Sequence, residues 1–191
     1  MKKNRLEAFS DGVIAILITI MVLELKVPHA ATWEALVEQA PVFLAYVLSY
    51  VNLGIYWNNH HHLIYATRRI NGAVLWANLH LLFWLSLLPF ATAWMGENHF
   101  ATIPTVAYGV DLLAASIAYM ILVRTIIAGD GPDSRLATAL GSDFKGNIST
   151  VFYVVAIGLA FVNQYVADGI YAIVALMWLV PDRRIERRVA S

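Results

Sequence analysis

Apolar residues gather into six stretches separated by short polar and charged connections. A helix needs ~20 mostly apolar residues to cross the hydrocarbon core of a bilayer. By that measure, stretches near Ala8–Leu25, Pro41–Tyr65, Gly72–Trp94, Ile103–Ala128, Ile148–Val166 and Gly169–Val180 are expected to be transmembrane helices. The last is short for an untilted crossing. It is expected to reach into Asp182-Arg183-Arg184 by snorkelling, or to sit where the bilayer thins. The run Gly129-Asp130-Gly131-Pro132-Asp133-Ser134 reads as a turn, and Ser134–Lys145 as a short interfacial segment. The polar motif at the head of the first stretch does not recur, so the chain reads as one domain over residues 1–191, without an internal repeat.

The connections alternate in charge. Lys2, Lys3, Arg5, Arg68, Arg69, Arg124, Arg135, Lys145, Arg183, Arg184, Arg187 and Arg188 fall on one side of a six-helix arrangement, and Lys26 falls on the other. The excess of Lys and Arg on cytoplasmic loops then places both termini in the cytoplasm. The opposite side holds Glu24, Glu34, Glu38, Glu97 and Asp168, an acidic surface that would modestly concentrate cations.

Composition agrees with this class. The 191 residues are 60% hydrophobic and 14% charged, with a mean hydropathy of +0.64. A soluble domain cannot hide that much apolar surface. The absence of Cys excludes disulfides and thiolate metal sites, and zero formal net charge argues against a nucleic-acid partner. Asp11 and the Glu24-Leu25-Lys26-Val27-Pro28 segment do not fit a cleavable signal.

The first apolar stretch carries the most informative residues. It opens with Arg5, Ser10 and Asp11, and polar groups at membrane depth are costly and usually functional. With ~100° per residue and Ile16 as origin, Phe9, Gly12, Thr19, Ile20 and Leu23 fall within about 60°, whereas Asp11 lies about 140° away. One face is therefore an apolar stripe interrupted by Thr19. The other turns Asp11 towards whatever packs behind it. From periodicity alone the stripe also suits plain lipid contact.

Further polar residues sit at a similar depth. Trp57-Asn58-Asn59-His60-His61-His62 closes the second stretch, and Asn78, His80 and Trp84 lie in the third. A network of Ser10, Asp11, His60 or His61, Asn78 and His80, capped by Arg5, would satisfy these groups in a low-dielectric setting. Consecutive histidines diverge by ~100° on a helix and cannot all face one ion, so structural hydrogen bonding outranks a metal site. Asp111 is a candidate proton or ion site, or a residue near the outer interface. Pro89 loosens or kinks the third helix.

Arg5-x-x-x-Phe9-Ser10-Asp11 at the head of a membrane helix resembles the signature of the transmembrane protein 175 family, potassium channels found in animal endolysosomes and in bacteria. The likeness extends to Trp57 and a His (His60 or His61) near the end of the second helix, and to Asn78 and Ser86-Leu87-Leu88-Pro89-Phe90 in the third. It implies a homotetramer of single-repeat subunits, with the first helix of each lining a central pore in a bacterial plasma membrane. By position after the motif, Ile16 would be the hydrophobic gate, Thr19 the hydroxyl that bears on selectivity, and Leu23 a further apolar ring. The chain has no Thr-Val-Gly-Tyr-Gly filter, so moderate preference for potassium over sodium is expected, with K+ as permeant ion and no cofactor. The main alternative is a proton channel or proton-coupled transporter using Asp11, His60 or His61, His80 and Asp111. A His-ligated membrane enzyme and an accessory protein without flux complete the set.

Overall fold

A computed structural model describes residues 3–131, 134, 136–137 and 144–179. Among these lie seven helices: α1 (Lys3–Leu23), α2 (Trp33–Val37), α3 (Ala40–Ala66), α4 (Gly72–Glu97), α5 (Thr102–Asp130), α6 (Phe144–Ala160) and α7 (Gln164–Leu179). Four of them, α1, α3, α4 and α5, are long and apolar enough to cross a membrane. The apolar α6 and α7 are shorter, at 17 and 16 residues.

Local chemistry explains several boundaries. Asn71 caps α4 by accepting the Val74 N–H at 2.9 Å, as a side-chain oxygen at an N-cap does for orphan donors. Pro41 stands in the first turn of α3, where its missing N–H costs nothing. Pro89 lies inside α4, yet the helix continues to Glu97, which neighbouring helices make tolerable in a membrane. The chain reverses from α4 into α5 through His99 and Phe100, both at positive φ (49° and 58°).

Packing divides the subunit into two connected halves. α4 packs against α1, α3 and α5, while α6 and α7 pack against each other and against α5, with α7 also touching α3. The main contacts of α1 are α3 and α4 alone, which leaves it at an edge.

One end of the bundle gathers Lys3, Arg68, Arg69 and Lys145. Lys3 Nζ donates to the Tyr65 carbonyl and, at 3.3 Å, to that of Thr67. The Asp130 carboxylate accepts the backbone N–H groups of Arg68 (2.8 Å) and Arg69 (3.1 Å), tying the α3–α4 link to the end of α5. At the other end Lys26 pairs with Glu97, and this hydrogen bond raises the ammonium above its ordinary value.

Several elements differ from the sequence reading, among them α6, which starts at Phe144 and not near Ile148. α1 starts at Lys3, because its charged first turn is anchored to the end of α3. The short α2, capped by the Thr32 hydroxyl on Ala35 N–H, was not anticipated. α5 runs on to Asp130, so the expected turn begins only at Gly131 (φ 95°). The last reversal lies at residues 161–163 and not near Asp168. There the Leu159 carbonyl accepts from Val162 and Asn163, and Asn163 Oδ1 accepts from Tyr165 N–H. The turn includes apolar Phe161 and Val162, so hydropathy alone does not reveal it. Asp168 consequently belongs to α7 and leaves the acidic surface. Most of the expected 134–145 segment, Lys2, Arg135, Val180 and the arginines at 183–188 lie outside the described residues.

Close packing of α5 on α7 depends on Gly109. A Cβ there would stand 2.7 Å from Tyr171 Cζ, nearer still to its hydroxyl, and 3.0 Å from Ile157 Cγ1. Tyr171 is fixed in place, since its hydroxyl donates to the Thr105 carbonyl at 3.3 Å. Gly109→Ala is expected to destabilise the subunit by about 1–3 kcal/mol through overpacking. Gly158→Ala, with nothing within 4 Å of its Cβ, should leave the thermal midpoint in detergent unchanged or slightly higher. Equal midpoints for the two variants would disprove this account.

Candidate ion pathway on the first helix

α1 presents two faces of opposite character. Leu6, Ser10, Ile14, Leu17 and Met21 are buried, at the spacing of one helical stripe, against α3 and α4. Phe9, Gly12, Ile16, Thr19, Ile20 and Leu23 are all exposed in the subunit. Ile16 is 58% and Leu23 78% exposed. The six residues brought onto one stripe by helical arithmetic therefore form the face that α1 does not share with its own chain.

Thr19 interrupts this apolar face with one hydroxyl. Its O–H donates back to the Ile16 carbonyl at 2.8 Å, an i to i−3 bond within the helix. The proton is thus committed, while the oxygen lone pairs remain as acceptors for a cation or water.

Behind the other face runs a buried relay. His60 Nε2 and Asn78 Oδ1 are 2.7 Å apart. Asn78 Nδ2 donates to Ser10 Oγ at 3.0 Å, and Ser10 Oγ donates to the Leu6 carbonyl at 3.0 Å. Donor order along the relay makes Nε2 the donor towards Asn78. All three side chains are fully buried. They come from α3, α4 and α1, so the relay fixes the rotation and depth of α1 against both neighbours.

The remaining signature residues stand around this relay and not inside it. Trp57 Nε1 donates to Asp11 Oδ1 at 3.1 Å on the exposed flank between α1 and α3. His61 Nδ1 lies 2.9 Å from Glu7 Oε1, an ion pair when the imidazole is protonated, and one that sequence reasoning missed although Glu7 lies within the signature. His62 packs edge-on against His61, with ring centroids 5.4 Å apart. Besides Asp11, two further expected members do not join the relay. His80 accepts from Trp84 Nε1 at 3.0 Å within α4 and is exposed, because its position on the helix turns it away from Asn78. Arg5 is exposed and bonds to no network group among the described residues. Among the described residues, no three His, Cys, Asp or Glu side chains are grouped to hold a metal ion.

Known proteins bear on this arrangement. A family model described as endosomal/lysosomal potassium channel TMEM175 matches residues 5–89, which include α1, the relay and the Trp57–Asp11 pair. A potassium channel of Chryseobacterium sp. (strain P1-3) is 56% identical over 98% of this chain and 97% of its own length. The crystal structure of a lysosomal potassium-selective channel TMEM175 homolog from Chamaesiphon minutus superposes with a TM-score of 0.80 at 28% identity, covering 95% of this chain and 97% of that one. The endosomal/lysosomal proton channel TMEM175 of Gallus gallus is 41% identical over 36% of this chain and 16% of its own length.

Removing the middle of the relay should be more costly than removing its flank. Asn78→Leu leaves buried groups of Ser10 and His60 unpaired, each worth about 1–3 kcal/mol, whereas Trp57→Phe removes one part-exposed bond. We expect a distinctly lower thermal midpoint in detergent for Asn78→Leu only. A larger effect from Trp57→Phe would contradict the ranking.

Proposed function

This chain belongs to the TMEM175 family of membrane ion channels, and on that premise we propose that it is a potassium-preferring cation channel whose pore is lined by α1. The observation that carries the proposal is the face from Phe9 to Leu23, exposed along its length while the opposite face is pinned. A purely lipid-facing helix requires neither the relay behind it nor a hydroxyl in the middle of the stripe. In the proposed assembly four subunits bring their α1 edges around one axis, with six crossings per subunit and both termini in the cytoplasm. The basic residues gathered at one end support that orientation. The bacterial relative supports placement in a bacterial plasma membrane.

Under this reading four Ile16 side chains form a narrow apolar ring, closed to ions by size and dewetting. Leu23 adds a second ring towards the acidic end. Ions pass when α1 tilts or spreads, losing part of their hydration at the ring. Thr19, one turn away, offers oxygen lone pairs that replace some of that water. Four single hydroxyls replace less of a hydration shell than a carbonyl cage, so the preference for potassium over sodium is moderate. Asp11, held by Trp57 at the flank, keeps α1 in position and does not line the path.

Two experiments test the assignment. Ile16→Asn should increase potassium flux into liposomes holding the purified protein, since an amide at the ring lowers the dewetting barrier. Equal flux in both proteins would remove the gate from Ile16. Thr19→Val should move the reversal potential in mixed potassium and sodium towards non-selectivity, and an unmoved potential would remove the selectivity role.

A further inference from the structure

The basic end of the bundle holds two adjacent arginines whose charges the subunit does not use. Arg68 and Arg69 lie in the link between α3 and α4, and both are exposed. Their backbone N–H groups are held by the Asp130 carboxylate at 2.8 and 3.1 Å, one on each oxygen. That carboxylate is thereby spent on main chain. The ion pairs between described residues are Lys26–Glu97 and His61–Glu7, so neither guanidinium has a carboxylate partner among the described residues. Lys3 differs, because its ammonium donates to the Tyr65 and Thr67 carbonyls.

The link that carries the pair is braced along its length. Thr67 is buried, and its hydroxyl donates to the Leu63 carbonyl at 2.8 Å. Asp130 clamps the next two residues, and Ile70 packs against the core. Asn71 caps α4 through the Val74 N–H and lies close to α5, where a Cβ on Gly129 would stand 3.3 Å from Asn71 Nδ2. The two side chains therefore project from a fixed backbone, which reduces the ordering cost of holding a ligand. An excess of positive charge at one end satisfies membrane topology without any such bracing.

The surroundings identify the ligand. Tyr65, at the end of α3, is 58% exposed, and Trp76, on α4, is 75% exposed. Trp76 lies four residues beyond Gly72, about 6 Å into the helix at 1.5 Å per residue. Exposed Tyr and Trp at the ends of membrane-crossing helices mark the membrane–water interface, so the link stands at headgroup depth. The anion met there is a phosphodiester, whose oxygens match the planar donors of a guanidinium. A zwitterionic headgroup also brings an ammonium, which two unpaired arginines repel.

We propose that the α3–α4 link binds the phosphate of an anionic phospholipid headgroup through Arg68 and Arg69, with Tyr65 and Trp76 flanking the lipid at the interface. Asp130 acts as a positioning residue that holds the pair from behind. Lys3 bonds to carbonyls directly before the arginines, so an occupied site also steadies the basic end of α1. The site rests on the membrane crossing of α3 and α4 and is independent of the gate assigned to Ile16.

The test is native mass spectrometry of the purified full-length protein in detergent, titrated with dioleoylphosphatidylglycerol, with dioleoylphosphatidylcholine, or with the former plus inorganic phosphate. Phosphatidylglycerol is expected to bind more tightly than phosphatidylcholine. Arg68→Gln and Arg69→Gln should each weaken its binding about fivefold, and about thirtyfold together, the scale for basic side chains at an anionic lipid surface. Arg124→Gln removes one charge about 9 Å from Asp130 along α5 and should leave binding unchanged. Asp130→Ala should weaken binding although it deletes a negative charge. Equal binding of the two lipids overturns the proposal, as does a loss from Arg124→Gln equal to that from Arg69→Gln. Displacement of the lipid by inorganic phosphate at comparable concentration assigns the arginines to a free anion and overturns the lipid site. Tighter binding in Asp130→Ala removes the bracing role.

Discussion

The buried relay from His60 through Asn78 to Ser10 and the Leu6 carbonyl sets the position of α1. In a bilayer no water stands ready to pair a displaced polar group, so each break leaves donors and acceptors in an apolar medium. A rotation of α1 by one residue, ~100°, would carry Ser10 off Asn78 and turn the apolar stripe out of register. On the proposed reading, α1 therefore moves by tilting or spreading, with the relay as pivot near its basic end. The section from Ile16 to Leu23 lies two to four turns beyond that pivot and has the greater freedom. The unpartnered stripe and the pinned stripe are one design, because a gate must move while its axial rotation stays fixed.

The two ends of the bundle are secured differently. At the basic end, backbone groups do the work: Asp130 accepts from the Arg68 and Arg69 N–H groups, and Lys3 donates to carbonyls at the end of α3. These bonds satisfy N–H groups of the α3–α4 link and carbonyls at the end of α3 that lack intrahelical partners. The other end is held by Lys26 and Glu97, an exposed pair at 69% and 44% side-chain exposure. Exposed pairs contribute little and are screened by salt. The end of α1 that carries Leu23 is thus the more loosely tied one, consistent with motion centred there.

Much of this was legible in the sequence because membrane physics writes itself in simple patterns. Apolar length identified the long helices, and helical periodicity placed Phe9, Gly12, Ile16, Thr19, Ile20 and Leu23 on one exposed face of α1. Ser10, Asn78 and His60 were legible as a group because each is a polar residue at matching depth on an apolar helix. Other features were not, for physical reasons. His80 and Asn78 are two residues apart, and helix rotation sends them to different neighbours despite equal depth. The pairing of Glu7 with His61 depends on how α1 rotates against α3, which periodicity within one helix does not determine. The turn at 161–163 is built from apolar residues capped by Asn163, so Asp168 was read as part of a loop when it is inside a helix.

That single shift changes what the second half of the subunit means. With Asp168 in a loop, α6 and α7 contribute no ionisable interior and the only polar chemistry lies near α1. Inside α7 it becomes a second carboxyl whose oxygens are buried without a hydrogen-bond partner among the described residues, as those of Asp111 are. Polar groups of the relay in the α1–α3–α4 half are paired to one another through His60 Nε2, Asn78 and Ser10, with His60 Nδ1 left without a partner among the described residues. In the α5–α6–α7 half the carboxyl oxygens of Asp111 and Asp168 are buried without a hydrogen-bond partner among the described residues. Satisfied networks give rigidity, whereas unsatisfied ones at membrane depth persist only where protons or water complete them.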